Sequence, residues 1–482
     1  MTKTSPVPAR EIRDWAVETD VLVVGSGCAG TSAAIEAARA GADVLVVDGA
    51  GGPGGATAMA GGEIYLGGGT PLQKACGIED SPEAMYQFLR AATGPDPDEE
   101  KLAVYCEGNL EHFDWLVESG VHFKARLWTE PSWEAPTGYG LMYTGGENAH
   151  PFNDIAPPAP RGHVPHMQDK RPGQRSAGWV LLKNLAETAR RAGAMAVYDT
   201  RVETLVVDGG DVVGAEVVSF GERSFIRARR GVVLAAGGFA ANPSMLAQHA
   251  PRLTGNMLIG TDHDDGSGIR MAQAAGAAVR HMEAGQTSFP ADPALLCRAL
   301  LLDARGRRFI NEDTYPGRVG QASLFQQGRQ IFLLYDHAIN EEVEAFTGMP
   351  VEPTWVSDGL TELEALMGVP RGVLTNTVEE YNAGARKGQD PLCHKSARWL
   401  KPVAPPYGVL DLRGAMFGVF TIGGLHTSPN GEVLTPDGES IPGLFAAGRT
   451  TSGIPSWGYC SGTSLGDASF FGRRAGKTAA AR

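Results

Sequence analysis

Residues 20 to 50 read DVLVVGSGCAGTSAAIEAARAGADVLVVDGA: an unbroken apolar run, a glycine cluster, an alanine-rich stretch, Gly41 and a second apolar run. Apolar runs of this length bounded by glycine predict strands, and the alanine-rich stretch between them predicts a helix, so the segment reads as a βαβ unit. Residues 178 to 194, GWVLLKNLAETARRAGA, put Trp179, Leu182, Leu185 or Ala186, and Ala189 on one face. That spacing predicts an amphipathic helix stopping at Gly193. RVETLVVDGGDVVGAEVV, at 201 to 218, places two β-rich runs about an Asp-Gly-Gly turn and predicts a hairpin. A third apolar strand is expected in GVVLAAGGFAAN (231 to 242), and a fourth only in GLFAAGR (443 to 449).

Between 285 and 407 the pattern changes to proline-bounded loops, the amphipathic segment DGLTELEALMGV and charged runs such as NEEVEAF. The expected organisation is therefore a nucleotide-binding domain in two parts, 15–284 and 408–482, around an inserted cap domain at 285–407. Near the end stands SWGYCSGTSLGD, residues 456 to 467, where Gly458 and Gly462 keep the backbone irregular. Regular helix can begin only near Thr463 or Ser464, which leaves Trp457, Tyr459 and Ser461 on a loop entering a helix.

With 482 residues the chain exceeds what one growing core supports. A formal charge of −13 with no basic stripe argues against nucleic acid as a partner. Six cysteines, Cys28, Cys76, Cys106, Cys297, Cys393 and Cys460, form no C-x-x-C pair and read as scattered reduced thiols. The polar N-terminal stretch and the absence of a long apolar run predict no transmembrane segment, with the cytoplasm as the expected location. His150, His163 and His166 lie in a proline-rich loop without thiolates or clustered acids, so no metal site is expected. The basic FGRRAGK near the end reads as a solvated face of the terminal helix.

In GSGCAG, Gly25 permits a tight turn, Gly27 lets backbone approach a pyrophosphate and Gly30 lets the helix pack on the strand. Asp48 ends the second strand, where its carboxylate can accept hydrogen bonds from a ribose. GGPGGATAMAGGEIYLGGG and TDHDDGSGIRMAQAAGA resemble the glycine-rich segment and the acid-Gly-x-Gly turn of the fumarate reductase and succinate dehydrogenase flavoprotein family. The resemblance implies an α/β fold, a Rossmann-like FAD-binding domain of the glutathione-reductase type with an inserted α+β catalytic cap. It assigns FAD contacts to Gly25, Ser26, Gly27, Cys28, Ala29, Gly30, Asp48, Gly55, Ala56, Thr57, Gly61, Gly62, Val202, Ala235, Ala236, Gly237, Asp265, Gly448, Ser464 and Leu465. Members that tether flavin covalently carry a histidine near the glycine-rich stretch. Here no histidine precedes His112, so dissociable FAD is expected.

Dicarboxylate reductases of that family hold their substrate with a histidine and an arginine, in positions matched here by Phe420 of FTIGG and Ser464 of TSLGD. Losing the guanidinium removes the fork that reads a carboxylate, and Phe420 makes the site apolar, so an uncharged substrate is expected. The run W-G-Y-x-S-G-T-S-L-G-D is similar to the C-terminal segment of the flavin-dependent 3-ketosteroid Δ4-(5α)-dehydrogenases. That likeness implies a C4=C5 desaturation in which Tyr459 donates to the ketone oxygen, Ser461 accepts the C4 proton and a hydride passes from C5 to flavin N5. A lone serine is a weak base and needs a relay, for which Tyr315 in GRRFINEDTYPGRVG is the candidate. The backbone amides of Ser464 and Leu465 are expected at the reduced flavin, and Trp457 and Phe417 stand as candidates for the steroid wall or for core alike. A 3-ketosteroid Δ1-dehydrogenase and a fumarate-reductase-like enoate reductase are the alternatives. The electron acceptor and the oligomeric state stay open.

Overall fold

The two apolar runs about the glycine cluster form neighbouring strands β1 (Val17–Val24) and β2 (Val44–Val47), joined by helix α1 (Cys28–Arg39). They pair in parallel from Val21 on Val44 to Val24 on Val47. The structure, a computed structural model, describes residues 5–167 and 177–482, so the first four residues of the polar N-terminal stretch lie outside it. Helix α2 (Ala177–Arg191) leads into β3 (Met195–Val197), which extends the sheet beside β2. The Asp-Gly-Gly hairpin forms from β4 (Thr200–Asp208) and β5 (Asp211–Ser219), with both central glycines at positive φ.

The third predicted strand starts earlier than its apolar run. β6 spans Glu222–Leu234; its charged first half pairs antiparallel with β5, and its apolar second half lies between β1 and β7 (Ser440–Ala446). The first half reads as polar because one face of the ribbon meets solvent, whereas the second half is covered on both faces. The parallel core is thus β3-β2-β1-β6-β7, and it draws together segments about 200 residues apart. Val21, Val23, Val44 and Val46 belong to the cluster containing α1 and the C-terminal helix α3 (Thr463–Ala481), while Leu22, Val24, Leu45 and Val47 pack with the ribbon residues Val202, Leu205 and Val217. In α2 the buried face is Leu181, Leu182, Leu185 and Ala189. Trp179, expected on that face, is 46 % exposed, because the inward stripe is rotated toward Leu181.

Between β6 and β7 the chain builds a four-stranded antiparallel sheet in the order Leu300–Asp303, Ile331–Asp336, Tyr407–Asp411, Trp355–Ser357. Its last strand in sequence runs past residue 407. The amphipathic DGLTELEALMGV segment supplies the helix Leu360–Met367. A smaller sheet, Met257–Leu258, Gly418–Thr421 and Gly285–Ser288, straddles both ends of this excursion and places Gln286 opposite Phe420. No helix among the described residues is long and apolar enough to cross a membrane.

Candidate active site

At the carboxyl end of β1 the chain must reverse within three residues to enter α1. Gly25 does this at φ +104°, where a β-carbon would stand 2.3 Å from the carbonyl oxygen of Ala235. Its N–H donates to Val47 O at 2.8 Å, so the turn is welded to the ends of β2 and β6. Helix α1 then starts with no side chain of its own as cap, and Thr57, through Oγ1 at 3.0 Å, accepts from its first amide at Cys28. The helix start and its partial positive charge face a cleft of about 490 Å3, within the usual range for ligand sites.

Most of the residues assigned from the sequence line this cleft: Gly25, Gly27, Cys28, Ala29, Asp48, Gly55, Ala56, Thr57, Gly61, Val202, Ala235, Ala236, Gly237, Asp265, Gly448, Ser464 and Leu465. Three stand behind it. Ser26 is buried and donates both its N–H (2.6 Å) and its hydroxyl (2.7 Å) to Asp48, orienting the carboxylate. Gly30 supports the Gly25 turn from below, and Gly62 packs against the start of α2 at Ala177 and Gly178. Burial of Cys28 pushes its thiol up to about 12, so it presents a neutral S–H.

The same cleft contains Tyr315, Tyr459 and Ser461, brought from two segments more than 140 residues apart. The loop 456–462 is held by neighbouring backbone. Trp457 and Gly458 donate to Thr93 O, Ser461 N–H donates to Thr144 O at 2.9 Å, and Gly462 O accepts from Tyr65 N–H at 3.0 Å. Gly462 sits at φ +95° with Tyr65 and Glu63 backbone against it, which no side chain would allow. α3 is clamped to α1 through close approach of Gly472 to Ala29 and of Gly476 to Ala33, so the loop and the Gly25 turn keep a set separation.

The site is apolar and its hydroxyls are neutral. Phe420 meets Tyr459 edge to face with ring centroids 5.2 Å apart. Burial raises the Tyr459 phenol above its ordinary value, and the Ser464 hydroxyl and amide at the start of α3 draw it partly back. Tyr315 is pushed further up, first by burial and then by Tyr459, Cys460 and Glu63, with the Ser461 hydroxyl opposing. Its oxygen accepts a hydrogen bond from Gln286 Nε2 at 3.0 Å. Trp457 and Phe417 do not line the cleft: Trp457 packs on Phe325, and Phe417 is fully buried beside Phe289. His163 is satisfied by Thr70 and the Arg161 carbonyl, and His150 by Asp154.

Several wall residues went unread in the sequence. Gln286 lies in the unremarkable stretch AGQTSFP, with no local signal. Glu63, inside the glycine-rich segment, was visible as its one acid. Asp264 precedes the assigned Asp265, and the fold separates their roles. Asp264 holds Arg449 through both oxygens at 2.9 and 2.7 Å, while Asp265 meets Arg201 at 2.5 Å and the Ser267 amide at 2.9 Å.

A glycine-lined helix start at the strand ends, sharing one cleft with buried neutral hydroxyls from the loops that enter two later helices, defines an oxidoreductase of the two-part Rossmann class. The chain belongs to the FAD binding domain family, which matches residues 20–465. It is similar to the crystal structure of the 3-ketosteroid Δ4-(5α)-dehydrogenase from Rhodococcus jostii RHA1 in complex with 4-androstene-3,17-dione, at 54% identity, 99% coverage of both chains and a TM-score of 0.96. A 3-oxosteroid 1-dehydrogenase of Mycobacterium tuberculosis is 28% identical over 94% of this chain and 97% of its own. A probable fumarate reductase of Shewanella frigidimarina is 27% identical over 96% of this chain and 75% of its own.

FAD fits the residues present. Arg449 Nη1, on the cleft wall, is buried and has no hydrogen-bond partner among the described residues, a donor waiting for a ligand acceptor. The α1 start suits a pyrophosphate, and Asp48 suits a ribose.

Proposed function

We propose that this protein is an FAD-dependent 3-ketosteroid Δ4-(5α)-dehydrogenase, introducing a C4=C5 double bond into 5α-reduced 3-oxosteroids. The observation that carries the reading is the convergence of Tyr459, Ser461 and Tyr315 beside Phe420 in the cleft that begins at the Gly25 turn. The similarity to the Rhodococcus enzyme over nearly the whole chain supports it. A dianionic substrate is disfavoured, because Phe420 takes a place where a cation would be needed and the charge of the nearby Arg449 is already balanced by Asp264 at its Nη2.

The chain's own residues supply the proton chemistry. Tyr459 donates a hydrogen bond to the C3 ketone, stabilising the charge that develops on that oxygen as C4 loses its proton. A phenol does this without bringing net charge into an apolar pocket, and the Ser464 groups near its oxygen favour further donation. Ser461 takes the C4 proton and passes its own to Tyr315. FAD, when bound, supplies the oxidising capacity by taking up the hydride from C5. Gly25, Gly27, Cys28, Ala29, Gly55, Ala56, Thr57, Gly61, Ala235, Ala236, Gly237, Gly448 and Leu465 would hold it, together with Asp48, Val202 and Asp265 of the same cleft. The FAD is read as dissociable, because no histidine stands in the glycine-rich segment and His263 on the cleft wall sits beside Gly49.

The test is anaerobic mixing of the purified yellow protein with a 5α-androstane-3,17-dione-type steroid. Bleaching of the oxidised flavin band with a 4-en-3-one product is expected. A 1-en-3-one product would instead assign Δ1-dehydrogenation, and no bleaching with any 5α-3-oxosteroid would overturn the reading.

A further inference from the structure

A phenol oxygen has one proton to give and two lone pairs to fill. On Tyr315 one lone pair is taken by Gln286 Nε2 at 3.0 Å. A carboxamide N–H only donates, so the Tyr315 proton cannot point toward it. Gln286 is itself fixed: it is 4 % exposed, its backbone pairs with Phe420, and its amide and the Tyr315 ring both rest on Gly317, where a β-carbon would strike each of them.

Tyr315 also borders a second cavity, which Gln286 does not line. A second cavity of about 100 Å3 carries Tyr315 and Ser461 on its wall together with Asp313, Thr314 and Thr144. Thr144 Oγ1, Thr314 Oγ1 and Asp313 Oδ1 are buried there with no hydrogen-bond partner among the described residues. A polar cavity of this size with several unsatisfied oxygens is suited to solvent. Burial also raises the Asp313 carboxyl, making it a better proton acceptor than an exposed one.

We propose that Gln286 is a positioning residue that points the Tyr315 hydroxyl proton out of the steroid cleft and into this second cavity, where the proton taken from the substrate leaves. The inference rests on the desaturase reading above. Each transfer balances: the C4 proton forms a bond to Ser461 Oγ, the former Ser461 proton moves to Tyr315 Oη, and the former Tyr315 proton passes to solvent beside Asp313. With the amide occupying one lone pair, the phenol receives from Ser461 and gives only to the far side.

Two variants test this, read by the rate of flavin reduction in a single anaerobic turnover across pH, with FAD content and steroid affinity measured alongside. Gln286→Leu removes the donor; reduction should slow by about 10- to 100-fold at every pH, with steroid affinity changed far less. Gln286→Glu is nearly isosteric. Its protonated carboxyl donates as the amide does, and its carboxylate would capture the Tyr315 proton instead. Burial, together with Glu63, which faces Tyr315 beside the neutral Tyr459 and Cys460, will hold the new carboxyl above its usual range. The Glu variant should therefore approach the parent rate at low pH and lose it as pH rises, a descending limb the parent lacks. A merely structural role for Gln286 would not produce that limb. A Leu variant within about twofold of the parent, or a Glu variant whose profile runs parallel to the parent's, overturns the inference; if the Leu variant loses FAD, the Glu profile decides alone. A parent protein that no 5α-3-oxosteroid reduces would fail the functional reading itself, which separates the two.

Discussion

The clamp between α1 and α3 makes a prediction whose sign runs against helix propensity. Replacing glycine by alanine inside a free helix is worth about 1 kcal/mol of added stability. At Gly476, however, the new β-carbon would lie 2.1 Å from the backbone oxygen of Ala33 and 2.7 Å from its carbonyl carbon. Both partners are backbone, so no rotamer relieves the overlap, and the helices must part by about 1 Å to reach an ordinary contact. Forced overpacking of this kind costs about 1–3 kcal/mol, which offsets the propensity gain of about 1 kcal/mol and leaves Gly476→Ala net destabilised by up to about 2 kcal/mol. The displacement is transmitted along α3 to its first turn, where Ser464 and Leu465 line the cleft and Tyr459 and Ser461 precede them. A misplacement of about 1 Å at reacting groups can lower turnover by up to about 100-fold. The assay is the melting temperature read from released FAD fluorescence, paired with single-turnover flavin reduction. An alanine variant that melts at or above the parent temperature would refute the close-packed crossing and, with it, the claim that this crossing sets the distance between loop and turn.

Tyr459→Phe keeps the ring against Phe420 and removes only the donor, so turnover should fall by about 10²–10³-fold with FAD still bound, and Ser461→Ala should lose at least about 10²-fold; near-normal rates in both would remove the mechanism. Gly25→Ala forces a side chain into φ +104° and against the Ala235 carbonyl, and should lower FAD affinity by at least about 10-fold, checked by the flavin-to-protein ratio after gel filtration. Asp467 is buried at the α3 start, accepts from Ile454 N–H at 2.8 Å, and burial raises its carboxyl to about 6 from an ordinary 3.8. The folded state then keeps a proton that the unfolded chain releases, so stability declines by about 3 kcal/mol as pH rises from 3.8 to 6 and is flat for this group above that. Asp467→Asn, which can still accept from Ile454, should lack this portion of the decline in denaturant midpoints taken between those pH values; a parallel decline would contradict the assignment.

The sequence by itself determined the local features. The βαβ unit, the Gly25 turn, the Asp-Gly-Gly hairpin and the start of α3 at Thr463 all follow from side-chain period and backbone conformation, which act over a few residues. The loop Tyr459–Ser461 was legible for the same reason, since its glycines mark where backbone must come close to something. What they approach was decided by the tertiary structure. Tyr315 meets Ser461, Gln286 meets Tyr315, and Arg449 is caught by Asp264 because loops and helix ends far apart in sequence are brought to one cleft, and no local pattern encodes that juxtaposition. Packing likewise turned Trp179 outward in favour of Leu181, sent Phe417 and Trp457 away from the cleft, and began β6 at Glu222, because burial depends on which neighbour covers a face and not on the polarity of the face alone.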